Sequence, residues 1–474
     1  MLKREKRQAS LGDSLLCLGF LIFTLSISLT KLGLSAHIPL VLGGVFCGFV
    51  AIFKLGFTWK ELEEGILSTI NSTMQAIIIL LIVGMLIGTW IISRVVPSMI
   101  YWGLNILSPG IFLVATTIIC SIVSISTGSS WTTAGTIGIA LLGIGSALGI
   151  PKEIIAGAII SGAYFGDKMS PLSDTTNLAP AMAGTNLFTH IKHMLYSTIP
   201  AYVIALILYA IIGFKYAGQV IDNSQILQIQ QALASNYNTL SPLLLLIPVM
   251  VIVIVIFKVP AIPGLVIGTL LGGFVAIVFQ GASIKDVLEV AQVGYTSNSG
   301  MAFVDELLTR GGLNSMLGTV SLMLCALTTG GILEKTGMLE ALASAILKFA
   351  KGTFGLVAAT IFTCIGTNLA VADQYLAIVM PGSMYREAFK KQGLCPENLS
   401  RSLEDSATIT SPLIPWNTCG AYMSATLGVG SFVFLPFAFF NLLCPLMSLT
   451  LAATGFGITK LSDENSEELE SSIA

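Results

Sequence analysis

Apolar residues run along this chain in long unbroken blocks, each of a length that predicts a membrane-crossing helix or a half-helix. In the first half they fall at about 14–31, 37–57, 73–93, 110–126, 135–150, 153–165 and 194–214. A polar stretch over 215–240, KYAGQVIDNSQILQIQQALASNYNTL, breaks the pattern and predicts a linker that carries a surface amphipathic helix. Blocks resume at about 241–258, 261–281, 317–333, 338–350, 353–366, 374–385 and 430–456. Several of the shorter blocks suit re-entrant hairpins as well as full spans. The expected fold is an all-α polytopic membrane protein with roughly ten to twelve transmembrane segments. Its expected divisions are an N-terminal segment 1–13, a first membrane repeat 14–214, the linker 215–240, a second membrane repeat 241–457 and an acidic, disordered tail 458–474.

Composition agrees, since 54% of the 474 residues are hydrophobic and 10% charged, with a mean hydropathy of +0.87. A net charge of −2 argues against nucleic acid as a partner. The eight cysteines are scattered through apolar segments without metal-ligand spacing and read as buried thiols. Lys3, Arg4, Lys6 and Arg7 precede the first apolar run, and no small-residue cleavage site follows it. That run is therefore expected to be a span with the N-terminus in the cytoplasm.

The chain also repeats itself. Residues 36–60 match 261–285 at an offset of 225 with eleven identities in twenty-five, among them GFVAI and the spaced Gly56/Gly281 and Lys60/Lys285. After an insertion near 298–314 the offset becomes 241, which aligns Ser170-Pro171-Leu172 with Ser411-Pro412-Leu413 and STGSSWTT at 126–133 with TNLAVADQ at 367–374. Loop charge bears on how the halves are oriented. YREAFKKQG at 385–393 is basic, whereas its counterpart, IGSALGIPK at about 144–152, holds a single lysine. Equivalent loops of opposite charge bias belong on opposite sides of a membrane, so the halves are expected to be inverted copies, with both termini cytoplasmic and the linker outside. Inverted repeats place a binding site at the midplane, where broken helices from the two halves meet.

Four polar interruptions are candidates for that meeting: 126–136, 167–177, 366–374 and 404–420. The stretch from Ser161 to Asn186 is the richest, and Asp167, Lys168 and Asp174 within it need a reason to sit in a bilayer, where each charge costs about 2.5–3.5 kcal/mol on insertion scales. Proline at 171, 412 and 415 removes a backbone donor and obstructs the helix, freeing carbonyls to face a ligand. Carboxylate, carbonyl, hydroxyl and amide oxygens suit an alkali cation stripped of water. Amide and hydroxyl donors with positive half-helix ends suit an organic carboxylate equally well. Asp174 and Asp373 lie inside the breaks and are the carboxylates expected to hold Na⁺, against the alternative that they cap half-helices. Asp167 beside Lys168 reads as a functional carboxylate or an ion pair, and Asp405 as a functional carboxylate or the flank of a basic loop. A desolvated carboxylate favours its proton and a bound cation displaces it, so H⁺ and Na⁺ compete, which is a mechanism of antiport. His190 and His193 read as interfacial packing residues, and Asp305 and Glu306 as interfacial. Trp131 and Trp416 are packing residues or cavity linings.

These residues are familiar. SGAYFGDKMSPLSDTTNLA at 161–179, with TNLAVADQ and SPLIPWNTCGAY later, resembles the NhaC family of Na⁺/H⁺ antiporters, which includes the malate-2H⁺/Na⁺-lactate antiporters of the ion-transporter superfamily. The likeness runs from about residue 12 to 457. It implies an inverted-repeat carrier of the bacterial inner membrane with hairpins and broken helices. Carried over by position, it points to Asp167, Ser170, Asp174, Thr175, Thr176 and Asn177, and to Asn368, Asp373 and the segment from Ser411 to Asn417.

The expected function is secondary antiport of Na⁺ against H⁺, with Na⁺-coupled exchange of small carboxylates such as lactate and malate as the rival. The expected partners are membrane lipid and the transported solutes; a homodimer is compatible with the chain, and no cofactor or catalysed reaction is expected. A channel would lack the paired site, and no H-E-x-x-H or G-x-S-x-G marks an intramembrane enzyme.

Overall fold

The computed structural model describes residues 6–217, 223–237, 239–257 and 259–461. Most of the expected acidic tail and the first residues of the N-terminal segment lie outside these. Among the described residues there is no strand, only two isolated bridges, Tyr295 to Arg310 and Leu394 to Lys460. Everything else that is regular is helical. Among the described residues seven helices are long and apolar enough to cross a membrane, and up to eight if the pair Thr418–Leu427 and Ser431–Phe437, bent by 85°, is one broken span and not a re-entrant loop. Shorter apolar helices lie at His37–Phe53, Val95–Ile106, Pro242–Ile256 and Phe439–Thr454. Large apolar side chains such as Ile22, Phe49, Ile122 and Phe274 stand exposed on outward faces, as lipid-facing side chains do. The chain is a multi-pass membrane protein.

In order, the first series of helices is α1 (Leu11–Ser26), α2 (His37–Phe53), α3 (Trp59–Ile92), α4 (Val95–Ile106), α5 (Pro109–Thr127), α6 (Ser130–Thr133), α7 (Ile139–Ala147), α8 (Lys152–Met169), α9 (Asp174–Ala183) and α10 (Leu187–Ala217). α11 (Asn223–Asn236) lies in the linker, with Ile229 and Leu233 buried on one face. The second series is α12 (Leu246–Ile256), α13 (Ala261–Gln280), α14 (Ile284–Val293), α15 (Ala302–Leu308), α16 (Leu313–Lys335), α17 (Met338–Phe349), α18 (Gly352–Val371), α19 (Gln374–Lys391), α20 (Pro396–Leu403), α21 (Thr418–Leu427), α22 (Ser431–Phe434) and α23 (Phe439–Thr454).

The two series fall at the offsets of the sequence match. α2 corresponds to α13, and α3 to α14 and α16 together, with α15 in the insertion between them. α4, α5, α6 with α7, and α9 then correspond to α17, α18, α19 and α21 to within three residues at each end. The caps repeat as well. Thr58 and Glu61 form a capping box at the start of α3, and Ser283 and Asp286, each 225 residues on, form one at the start of α14. Packing crosses between the series, because α2 lies against α16 while α13 lies against α3, and α3 and α16 pack on each other.

α8 is pressed against α5 by small residues one turn apart. A Cβ at Gly162 would stand 2.2 Å from the Thr117 carbonyl oxygen, and one at Gly166 2.4 Å from the Ser124 Cβ. Ser124 Oγ donates to the Ala163 carbonyl across the same contact at 2.6 Å. The residues that follow α8 are thereby held beside the end of α5.

Two expectations change. The basic stretch 385–391 is the last part of α19, not a loop, and of the interruption expected over 404–420 the first part stays helical. Glu404–Thr408 is a wide i→i+5 turn that continues α20, and the chain unwinds only around Ser411 to Asn417.

Candidate functional site

Both series break twice, and the first break of each has the same construction. α5 ends at Gly128 with φ 70°, and α18 ends at Ala372 with φ 64°; both are left-handed, a conformation glycine adopts freely and alanine only under strain. The next residue in each case, Ser129 or Asp373, is extended and caps the following helix. Ser129 Oγ accepts from the Thr132 amide at 3.1 Å, and Asp373 Oδ1 accepts from the Tyr375 and Leu376 amides at 2.9 and 3.0 Å. The second breaks lack the left-handed residue but keep the extended cap, with Ser173 capping α9 and Asn417 capping α21. Asp174 is therefore not the cap of its helix, whereas Asp373 is.

The first turns of α6, α9, α19 and α21 converge on one cavity of about 710 Å³. Thr127 to Trp131, Asp167, Pro171 to Thr175, Gln374, Tyr375 and Thr418 line it, together with Ser72, Gln75, Ala76 and Ile79 of α3 and with Val255, Val259, Pro260 and Ala261. Four helix N-termini thus present partial positive charge to a space that also holds two carboxylates. Asp167 Oδ2 accepts from the Ser130 hydroxyl at 2.6 Å and the Ser130 amide at 3.2 Å. Asp174 is exposed to the cavity. Tyr375 lies in the fields of Asp174, Asp373 and Asp167. Trp131 closes one end, stacked on Tyr422 at 4.0 Å between ring centroids, and the Tyr422 hydroxyl donates to the Trp131 carbonyl at 2.8 Å.

The remaining predicted residues brace the breaks. Ser170 Oγ donates to the Ile125 carbonyl at 2.7 Å, and Thr176 Oγ1 to the carbonyls of Asp167 and Lys168 at 3.0 and 3.1 Å. Asn177 Nδ2 donates to the Pro171 and Ser173 carbonyls at 2.9 and 2.7 Å. In the other series Asn368 Nδ2 donates to the Ala407 carbonyl at 2.7 Å, and Asn417 Nδ2 to Asn368 Oδ1 at 3.1 Å. Ser411 Oγ donates to the Thr408 carbonyl at 2.7 Å, and the Thr418 amide to the strained Ala372 carbonyl at 2.9 Å. Thr175 lines the cavity, and its hydroxyl donates to Glu404 Oε1 at 3.0 Å.

Lys168 does not pair with Asp167. It forms a fully buried ion pair with Asp405, whose Oδ1 also accepts from Ser197 Oγ at 3.0 Å and Cys444 Sγ at 3.1 Å. Asp373 accepts a third bond, from Thr73 Oγ1 at 3.0 Å, and stands behind the cavity wall, not on it. His190 and His193 are buried, with His190 Nδ1 2.8 Å from Ser400 Oγ, as packing residues are. Asp305 sits in the insertion and accepts from the Ser299 amide at 2.6 Å and Ser297 Oγ at 2.8 Å, bonds that hold its carboxyl below the usual range. Ser130, Thr73, Gln374, Tyr375 and Glu404 were not singled out by sequence. Ser130 and Gln374 lay inside the flagged polar runs, and Thr73 carries no local signal.

Proteins of known name align with nearly the whole chain. A Na(+)/H(+) antiporter NhaC of Alkalihalophilus pseudofirmus is 40% identical over 458 residues, 96% of this chain and 98% of that protein. The arginine/ornithine antiporter ArcD of Halobacterium salinarum is 39% identical over 469 residues, 98% of this chain and 96% of that protein. The malate-2H(+)/Na(+)-lactate antiporter of Bacillus subtilis is 37% identical over 457 residues, 95% of this chain and 96% of that protein. The Na⁺/H⁺ antiporter family pattern itself matches residues 162–456, the span that holds both breaks of the second series and the richest break of the first, and the chain belongs to that family.

Proposed function

We propose that this protein is a secondary antiporter of the bacterial inner membrane that exchanges Na⁺ for H⁺ by alternating access, with inverted halves and both termini in the cytoplasm. The observation that carries the reading is the convergence of equivalent broken-helix starts from both series on one cavity that contains Asp167 and Asp174. A cation entering there meets the Asp174 carboxylate and the hydroxyl and carbonyl oxygens of Thr127 to Ser130 and Ser173, which replace part of its water. The four helix N-termini moderate the negative charge of the cavity, so cation and proton bind without being trapped. The named relatives are all antiporters, which supports exchange over a channel or an enzyme.

A second reading, Na⁺-coupled exchange of small carboxylates, draws on the same cavity. Its volume of about 710 Å³ lies within the range of sites for small organic molecules and exceeds the need of one ion. The helix N-termini give a carboxylate a place to dock without an arginine. One experiment separates the two. The protein is reconstituted in vesicles, a Na⁺ gradient is imposed, and lumenal pH is followed with and without lactate and malate. Proton movement driven by Na⁺ alone supports simple antiport, a strict requirement for carboxylate supports the second reading, and no movement under either condition removes both. Asp174→Asn is expected to abolish coupling with folding intact; exchange at the wild-type rate in that variant counts against Asp174 as the cation's carboxylate.

A further inference from the structure

The buried carboxylates around the breaks differ in how much of their bonding capacity is used. Asp373 accepts from two amides and the Thr73 hydroxyl. Asp405 holds the Lys168 ammonium, with Ser197 and Cys444 as further donors. Glu404 is fully buried and accepts one hydroxyl, from Thr175; the Thr408 hydroxyl is close enough to act on it, but by geometry neither Glu404 Oε2 nor Thr408 Oγ1 has a hydrogen-bond partner among the described residues. The wide turn Glu404–Thr408 continues an element buried on all its faces, so two successive acidic side chains both lie inside the protein.

The charges around Glu404 come from several elements. Lys168 and Asp167 face it from α8. Asp405 follows it in the chain, and Arg401, one turn earlier, donates to the Gly457 carbonyl at 2.7 Å. His190 and His193 on α10 belong to the same buried cluster, in the fields of Lys168 and Arg401. The Lys168 charge is taken up by Asp405, so an ionised Glu404 has no counter-ion of its own. A buried carboxylate without a counter-ion or a full set of donors is costly, and a bound proton removes that cost. A metal ion would need several more oxygens and would sit against Lys168.

We propose that Glu404 is the proton-binding residue of the exchange, a site separate from the cation's and reached from the cavity through Thr175. The proton binds Glu404 Oε2 and makes the side chain neutral. When it leaves for cavity water, one uncompensated negative charge remains a single hydrogen bond behind the cavity wall. That charge raises the cavity's affinity for a cation, and a bound cation in turn opposes the proton's return only while it is present. The two ions are thus coupled through Thr175 without sharing one carboxylate.

This inference rests on the Na⁺/H⁺ reading above, so the wild-type protein is tested first: if Na⁺ drives no proton movement in vesicles, that reading fails and this one with it. Given wild-type activity, Glu404→Gln and Glu404→Asp are compared with it in two assays, Na⁺-driven proton movement across a range of pH and counterflow of labelled Na⁺ at equal pH. Glu404→Gln is expected to lose proton movement by about 100-fold, the upper range of a single coupling energy, while Na⁺ counterflow falls by less than about tenfold and no longer varies with pH. Glu404→Asp is expected to recover part of the proton movement with a displaced pH profile. Thr175→Val leaves the carboxylate in place and is expected to displace the profile without abolishing it, which keeps the test open should Glu404→Gln fold poorly. A wild-type pH profile in Glu404→Gln overturns the proposal. So does equal loss of both activities in a folded Glu404→Gln that Glu404→Asp does not relieve.

Discussion

Replacing Lys168 by methionine removes the cation of a pair in which neither side chain has any exposed surface. The methionine keeps most of the volume, so the perturbation is chiefly electrostatic. Deleting one partner of a buried pair costs about 3–5 kcal/mol, because the other charge stays desolvated. The lower end applies here: Asp405 Oδ1 keeps the Ser197 hydroxyl at 3.0 Å and the Cys444 thiol at 3.1 Å, although Oδ2 has no partner among the described residues. A loss of about 3 kcal/mol corresponds in a chain of 474 residues to a fall of roughly 3 °C in apparent Tm, measured on the purified protein in detergent. The double variant Lys168→Met with Asp405→Asn removes both charges and is expected to recover most of that fall. Lys168→Met within about 1 °C of wild type, or a double variant whose loss is the sum of the two single losses, would refute the assignment of the pair as a coupled internal bridge.

Two further outcomes follow from the site and its support. Ser130→Ala removes the 2.6 Å hydroxyl donor to Asp167; a hydrogen bond contributes about 0.5–1.5 kcal/mol, and the apparent KM for Na⁺ in the vesicle assay is expected to shift by roughly two- to tenfold while expression stays normal. Gly162→Ala places a methyl 2.2 Å from the Thr117 carbonyl oxygen, which forces α5 and α8 apart; overpacking of about 1–3 kcal/mol is expected to lower apparent Tm and to depress exchange together.

The hydropathy blocks gave the helices wherever the lipid decides what is apolar, and they failed where a neighbouring helix decides. α3 begins at Trp59, fourteen residues before its predicted block. Its early turns, KELEEGILSTINS, are polar on one side and bury Leu62, Gly65 and Thr69 on the other, with Gly65 against the Gly331 carbonyl of α16. A window average cannot see such a face. The breaks were legible because glycine, proline, hydroxyl and amide residues announce an unwound backbone, and the repeat marked their counterparts. The partners of the charges were not legible. Lys168 and Asp405 are 237 residues apart, and nothing near Lys168 distinguishes that partner from the adjacent Asp167. Asp373 looked like an ion ligand because it stands in a polar run; its position relative to the left-handed Ala372 makes it the cap of α19.

The distribution of these bonds bears on what can move. Lys168, Thr175, Ser197, Glu404 and Asp405 all lie on the broken elements α8, α9 and α20 or on α10 beside them, so the ion pair and the proposed proton site stay together as one body. The cavity lining from α3, from Val255 and Val259 and from the start of α13 is apolar apart from Ser72 and Gln75. A movement of that body against this lining therefore disturbs apolar contacts, which slide at little loss, and the bond from Thr73 to Asp373 at 3.0 Å. That bond contributes about 0.5–1.5 kcal/mol net, a small part of the few kcal/mol that separate two conformations in exchange. In the proposed alternating access, the polar bracing inside the broken-helix body is the part that holds its charges in register while the apolar lining beside it lets it pass.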